Sequence, residues 1–426
     1  MKNTFVISCP IDTYSGYGAR SRDIVKALIN LDKYDVKVMP QRWGNTTWGF
    51  IDDHEEWHFL KPHLMGVGEK LTEKPDIWSQ ISVPNEFQSI GEYNIGITAG
   101  IETNTCAPQW VEGMNRMNMN LVSSNHSKEV FQNSRFEGTD KQTGAKSVIG
   151  LTSPIEVLFE GVNLDTYFPD DKPCTVDFNI KESFAYLFVG HWLPGSMGED
   201  RKNVSLLIKA FFETFKNKKS KPALILKTSV HTPSYKDRDE ILKRIIEIRN
   251  TVNSKNLPNI YLLHGNFTDE QINSIYNHSK VKAMVSLTRG EGFGRPLLEF
   301  SLTGKPIITT NWSGHIDFLN PEFTTLLGGQ LTPIDKSAQV KDMLIEGSKW
   351  FSPNHGEIGS KFKDVFENYK NYTDGGKRQA YYSKTNFSFE KMQELLGELL
   401  ETNVPEISKQ VQLELPKLQL PKLQKL

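Results

Sequence analysis

The chain has 426 residues, too many for one compact core and enough for two domains and a tail at roughly 150 residues per domain. Its 38% hydrophobic and 24% charged residues exclude a membrane-embedded or disordered class. With 50 basic against 51 acidic residues the net charge is -1, so no global field holds the chain on a polyanion or an acidic membrane surface.

In chain order, the amino terminus offers only the short apolar run Phe5 to Ser8 before Pro10. That run is far below the length of a signal-peptide core or a membrane span, and a cytoplasmic location is expected. Phe5 to Cys9 reads as a strand, Ile11 to Gly18 as a turn-rich loop, and Ala19 to Asn30 as a helix, with Ile24, Ala27, Leu28 and Leu31 at helical spacing. A strand at Val36 to Met39 completes a βαβ unit, which implies a parallel sheet with right-handed crossovers. The polar stretch Asp170 to Glu182, flanked by Pro169 and containing Pro173, reads as a linker. The pattern then restarts with a strand at Ala185 to Gly190, a helix at Val204 to Phe215 and a strand at Ala223 to Lys227. A third copy runs from the strand Lys282 to Leu287 into the helix Pro296 to Thr303, closed by Gly304, and on to the strand Ile307 to Thr310.

A last amphipathic helix, Phe389 to Leu400, follows a Ser388 cap. From Val404 the composition changes, and Leu-Pro-Lys-Leu-Gln recurs at Leu415 and Leu420. Proline every five residues forbids a continuous helix, so the tail is expected to be mobile, with docking of a partner as the sharper alternative. The division is therefore 1–172, an acceptor domain; 173–375, a donor domain; 376–403, a helix packing back across both; and 404–426, the tail. Cys9, Cys106 and Cys174 are odd in number, widely spaced and without a metal-ligand pattern, which suits structural thiols in a reducing compartment.

The segment with the most chemistry is Arg289-Gly290-Glu291-Gly292-Phe293-Gly294-Arg295-Pro296-Leu297-Leu298-Glu299, between a buried strand and a helix that begins with proline. Glu291 falls on the loop over the strand's carboxyl end and Glu299 on the first turns of the helix, so both can face one crevice. Glycines at 292 and 294 let the backbone approach a ligand, and free amides at a helix start favour an anion such as diphosphate.

These residues resemble the E-x7-E signature of the retaining family 4 glycosyltransferases, and the match to that motif is complete. Val157 to Pro169, with Glu160 in place of the usual asparagine, resembles the family's NGVD stretch at the close of the first domain. Val122 to Ser127 and Gly265 to Tyr276 fit other segments in the family's order. The resemblance implies a GT-B fold, two facing Rossmann-like α/β domains with parallel sheets and a cleft between them. It implies a nucleotide-diphosphate sugar, UDP- or GDP-linked, as co-substrate, with no cofactor, no metal and no pyridoxal phosphate. Glu299 would hold the nucleotide ribose, and Glu291 with the amides of Gly292, Phe293 and Gly294 the donor sugar.

Where the family has Gly-Arg-Leu and then a lysine pair, this chain has Gly190-His191-Trp192-Leu193 and Arg201-Lys202-Asn203. Lys202 would stabilise charge on the departing phosphate, with Arg201 or Arg295 as the second cation. The loop from Gly190 to Arg201 is long enough to act as a lid. The glycine loop Tyr14 to Arg20 places Gly16, Tyr17 and Gly18 at a helix start facing the donor diphosphate. Glu102 and His126 are the acceptor-side candidates, and Trp43, Trp48 and Trp110 could form an aromatic wall, with ordinary core packing as the default for each. The competing readings are a nucleotide-sugar epimerase on the same fold and a non-catalytic sugar-binding protein. The acceptor is open among a glycan, a small molecule, a protein and a modified base in DNA.

Overall fold

In the computed structural model, which describes residues 2–66, 68–139 and 146–407, apolar β-favouring runs assemble two parallel sheets that each have helices on both faces. The tail beyond Ile407, and with it the repeat at Leu415 and Leu420, lies outside the described residues.

The first sheet takes its strands from β1 (Asn3–Cys9), β2 (Tyr34–Pro40), β3 (Ile77–Ile81), β4 (Tyr93–Thr98), β5 (Met119–Val122) and β8 (Ile155–Val157), in the order β2-β1-β3-β4-β5-β8. The antiparallel hairpin β6 (Arg135–Thr139) and β7 (Lys146–Gly150) stands beside it. Its helices are α1 (Gly16–Leu31), the short α2 (Phe50–Asp53), α3 (Pro108–Met114) and α4 (Asn125–Asn133). Every residue of β3, β4 and β5 is buried, as strands covered on both faces require.

The second sheet runs β11-β10-β9-β12-β13-β14, from β9 (Ala185–Val189), β10 (Ala223–Lys227), β11 (Ile260–Leu263), β12 (Val281–Ser286), β13 (Ile307–Thr310) and β14 (Thr325–Leu327). It is covered by α5 (Val204–Phe215), α6 (Tyr235–Asn250), α7 (Asp269–Asn277), α8 (Arg295–Ser301) and α9 (His355–Glu367). A second hairpin, β15 (Gly329–Pro333) with β16 (Lys349–Pro353), reaches toward the first domain, where Lys349 exchanges two hydrogen bonds with Asn104.

Helix α10 (Lys370–Asn386) runs straight through Gly375 and Gly376, where the sequence suggested a boundary. A Cβ on Gly376 would lie 2.3 Å from the Gly304 carbonyl oxygen, so the glycine serves close packing rather than a break. Helix α11 (Phe389–Asn403) then returns to the first domain, burying Phe389, Met392, Leu396 and Leu400 in the same cluster as Ile24 and Leu28 of α1. The chain thus crosses between domains twice, and the crossings are stitched by Val162 and Phe389, whose backbones share a hydrogen bond of 2.8 Å.

Candidate active site

The carboxyl ends of both sheets face each other, and the loop after β12 carries the two glutamates into that cleft. Gly294 has φ +102°, a left-handed conformation that favours glycine, and the reversal launches α8 with Pro296 in its first turn. Glu291 on the loop and Glu299 on α8 are both buried. A Cβ on Gly290 would lie 2.0 Å from the Glu102 carbonyl oxygen, and one on Gly292 2.3 Å from that of Ala99. The glycines therefore let the second domain's loop press backbone against backbone on the loop after β4, which brings Glu102 to the site.

Two charge clusters result. Lys202 Nζ donates to the Glu291 oxygens at 2.5 and 2.6 Å. Burial pushes the Glu291 carboxyl up, but Lys202 and Arg201 outweigh it and bring it down to about 2. Burial likewise draws the Lys202 ammonium below its ordinary value, against the opposing pull of Glu291. Arg201 Nη1 donates to the Gly290 carbonyl at 2.9 Å and lies 3.4 Å from Glu102 and 3.5 Å from Glu291. In the second cluster Arg295 bonds Asp23 of α1 at 2.5 Å and Glu299 at 2.9 Å, while the Tyr276 hydroxyl donates to the other Glu299 oxygen at 3.1 Å. Burial outweighs these partners and raises the Glu299 carboxyl to about 7, so its charge changes near neutrality.

Between the domains opens a cavity of about 630 Å³, lined by Ser15, Gly16 and Trp43 on one side and His191, Lys227 and Ser229 on the other. Gly16, with open space where a Cβ would stand, presents the first turn of α1 to it. Gly18 instead serves packing and capping. Its Cβ would lie 2.2 Å from the Thr13 carbonyl oxygen, and its amide donates to the Ser15 cap at 2.9 Å. Tyr17 is tied by its hydroxyl to Thr98 Oγ1 at 2.9 Å and stacks under Trp43 at 4.0 Å. A larger groove of about 1280 Å³ lies at the amino ends of the first sheet, beside Thr4, Tyr34 and Asp76. It is remote from both glycine loops, so chemistry rather than size selects the cleft.

His126, in the first turn of α4, meets Trp312 edge-on at 4.6 Å, and its Nε2 is buried without a partner. Burial pulls its imidazole down to about 4, leaving it neutral. His315, fully buried, shares a hydrogen bond of 2.6 Å between its Nε2 and the Thr310 carbonyl, and its Nδ1 has no partner. Trp110 is buried in the core against Phe131, and Trp48 pairs with Thr13, so only Trp43 of the three lines the cavity. The Phe293 side chain packs on Phe318 at 4.9 Å, leaving its backbone alone for a ligand. The loop after Gly190 is pinned, with Gly198 N bonded to Ser205 Oγ and Ser196 N to Ser337 Oγ, which does not suit a lid. Asp23, Lys227, Trp312 and His315 did not stand out in the sequence; of these only Lys227, a charge ending the apolar strand ALILK, left a visible signal.

Residues 195–349 match the family model described as Glycosyl transferases group 1. No curated protein matches the chain by sequence. Among solved structures, a glycosyltransferase from Rickettsia africae ESF-5 is 14% identical, with a TM-score of 0.62 over 95% of this chain and 100% of that one. Sucrose-phosphate synthase from Thermosynechococcus elongatus is 12% identical, with a TM-score of 0.60 over 94% and 99%. HepE from Anabaena, solved with UDP and glucose, is 12% identical, with a TM-score of 0.58 over 94% and 100%. These likenesses show the fold, which is GT-B. No helix of the described residues is long and apolar enough to cross a membrane.

Proposed function

We propose, on the premise that residues 195–349 belong to the glycosyl transferases group 1 family, that this chain moves a sugar from a nucleotide-diphosphate donor to a hydroxyl acceptor with retention of configuration. The observation that carries the reading is the Lys202–Glu291 pair, held at 2.5 Å where the loop after β12 presses on the loop after β4 of the other domain. Residues 1–172 form the acceptor side and 173–375 the donor side. Glu299 takes the ribose hydroxyls, Glu291 and the amides of Gly292, Phe293 and Gly294 the sugar hydroxyls, and Gly16 the diphosphate from across the cleft. Arg295 orients Glu299 and links it to Asp23. HepE, with the same fold, was solved with UDP-glucose, which favours a UDP-sugar over a GDP-sugar as the first donor to try.

In this reading the bond from the anomeric carbon to the diphosphate breaks as the acceptor oxygen attacks from the same face, and the acceptor proton passes to the departing phosphate oxygen. Negative charge grows on that phosphate, and Lys202 and the loop amides meet it without a metal ion. Glu102 and His126 position the acceptor hydroxyl, and the closed interdomain contact excludes water. A soluble acceptor is favoured, a small molecule, glycan, protein or modified DNA base. The thiols of Cys9 and Cys106, raised by burial to about 12 and about 11, are inert and fit a cytoplasmic setting. Product analysis with labelled UDP- and GDP-sugars tests the proposal: transfer or slow donor hydrolysis with the anomeric configuration kept supports it. Epimerised donor, or binding with no turnover toward any acceptor or water, contradicts it.

A further inference from the structure

Three of the cations around the cleft are neutralised in place: Lys202 by Glu291, Arg201 by Glu102 and Glu291, and Arg295 by Asp23 and Glu299. Lys227 is not. It ends β10, where Ala223 to Leu226 are fully buried and apolar, and it lines the cavity between the domains. Its ammonium lies 5.7 Å over the Phe267 ring and makes no hydrogen bond or ion pair with any described residue, Glu299 acting on it only at a distance. Beside it, His191 is held by Ser229 Oγ at 3.0 Å from its Nδ1 and feels the charges of Lys227, Lys202 and Arg201. Opposite stands the first turn of α1, a 16-residue helix capped by Ser15, with Gly16 leaving its approach open.

An ammonium partly withdrawn from water without a contacting counter-charge is unfavourable in the empty protein, and an anion entering the cavity removes that penalty. Arg201 and Arg295, the sequence's candidates for a second phosphate cation, are already bound to carboxylates. We propose that Lys227, with the α1 amides facing it, is the second cation on the donor's diphosphate, complementing Lys202. The inference rests on the donor reading above, and it assigns Lys227 a binding role on the phosphates rather than on the sugar or base.

Inorganic pyrophosphate, which has neither base nor sugar, is the direct probe, titrated calorimetrically into the full chain and followed by UDP and GDP. Charge-assisted hydrogen bonds of this kind predict that Lys227→Met weakens pyrophosphate and nucleoside diphosphates about tenfold or more, while Lys227→Arg restores most of the affinity. The circular dichroism of Lys227→Met should match the parent and its unfolding temperature should equal or exceed the parent's, since the methionine keeps the packing of the stem and removes the unpaired charge. Equal pyrophosphate affinity in parent and Lys227→Met, or no pyrophosphate binding to either, overturns the inference. Pyrophosphate binding that depends on Lys227, in a protein that takes no nucleotide-sugar, upholds Lys227 as a phosphate-binding cation and overturns the donor reading instead.

Discussion

Replacing Lys202 by methionine keeps the aliphatic stem and deletes the ammonium that sits 2.5 and 2.6 Å from the Glu291 oxygens. The two side chains are only 15% and 9% exposed, so water cannot readily take its place. Stranding one partner of a buried pair costs ~3–5 kcal/mol. Two effects limit the loss here. Arg201 remains 3.5 Å from Glu291, and the carboxyl can escape by taking a proton. From an ordinary value near ~4.3, that protonation costs roughly 3.7 kcal/mol at pH 7, at about 1.36 kcal/mol per unit.

A destabilisation of about 2–4 kcal/mol at neutral pH follows for Lys202→Met. The sign with pH is fixed: Glu291 is held down at about 2 in the parent, so the stability it contributes is fully present above its ordinary value and disappears as pH falls through about 2. The variant lacks this contribution, so the gap between the two proteins at pH 7 should be smaller at about pH 3, with the narrowing confined to pH below ~4.3. Adding Glu291→Gln should recover most of the loss, with a coupling of at least ~1.5 kcal/mol in the double-mutant cycle. Urea unfolding of the four proteins at both pH values reads this out. Strictly additive effects, or a variant as stable as the parent at pH 7, would mean that the pair is not coupled as its geometry implies.

Glu299 offers a pH test, because its carboxyl sits at about 7 and only the charged form can accept both ribose hydroxyls. Nucleotide affinity should therefore rise with pH through about 7, by up to roughly tenfold per unit below it, and Glu299→Gln should bind more weakly with that component gone. Calorimetry between mildly acidic and mildly basic buffers compares the two proteins, and identical pH profiles would remove Glu299 from the ribose. Gly292→Ala places a methyl 2.3 Å from the Ala99 carbonyl across the cleft, so it should leave each domain folded but prop the cleft open. A larger radius of gyration in small-angle scattering and a loss of turnover are expected, and unchanged turnover would show that this contact is not needed for closure.

The parts of the fold legible in the sequence are those governed by local periodicity. Val204–Phe215 carries an apolar face at helical spacing, and Ala223–Lys227 and Ile307–Thr310 are short apolar runs between stop signals. The spacing of Glu291 and Glu299 around a glycine turn likewise puts both carboxyls at one crevice, because strand, turn and helix start are consecutive. What stays hidden depends on partners far away in the chain. Arg295 looks available for phosphate in the sequence, yet Asp23, 272 residues earlier, is bonded to it. The boundary placed at 375/376 falls inside α10, because the packing partner of Gly376, Gly304, belongs to another element. Trp110 and Trp43 have the same chemistry, and only the fold tells a core tryptophan from one lining the cleft.

Calorimetric titration of the full chain with a panel of UDP- and GDP-sugars addresses the cleft most directly. At least one donor should bind saturably, be displaced by its own nucleoside diphosphate, and lose most of its affinity in Glu299→Ala. If every donor fails to bind a folded protein, or if the Glu299→Ala protein binds as the parent does, the two glutamates and Lys202 do not form a nucleotide-sugar site.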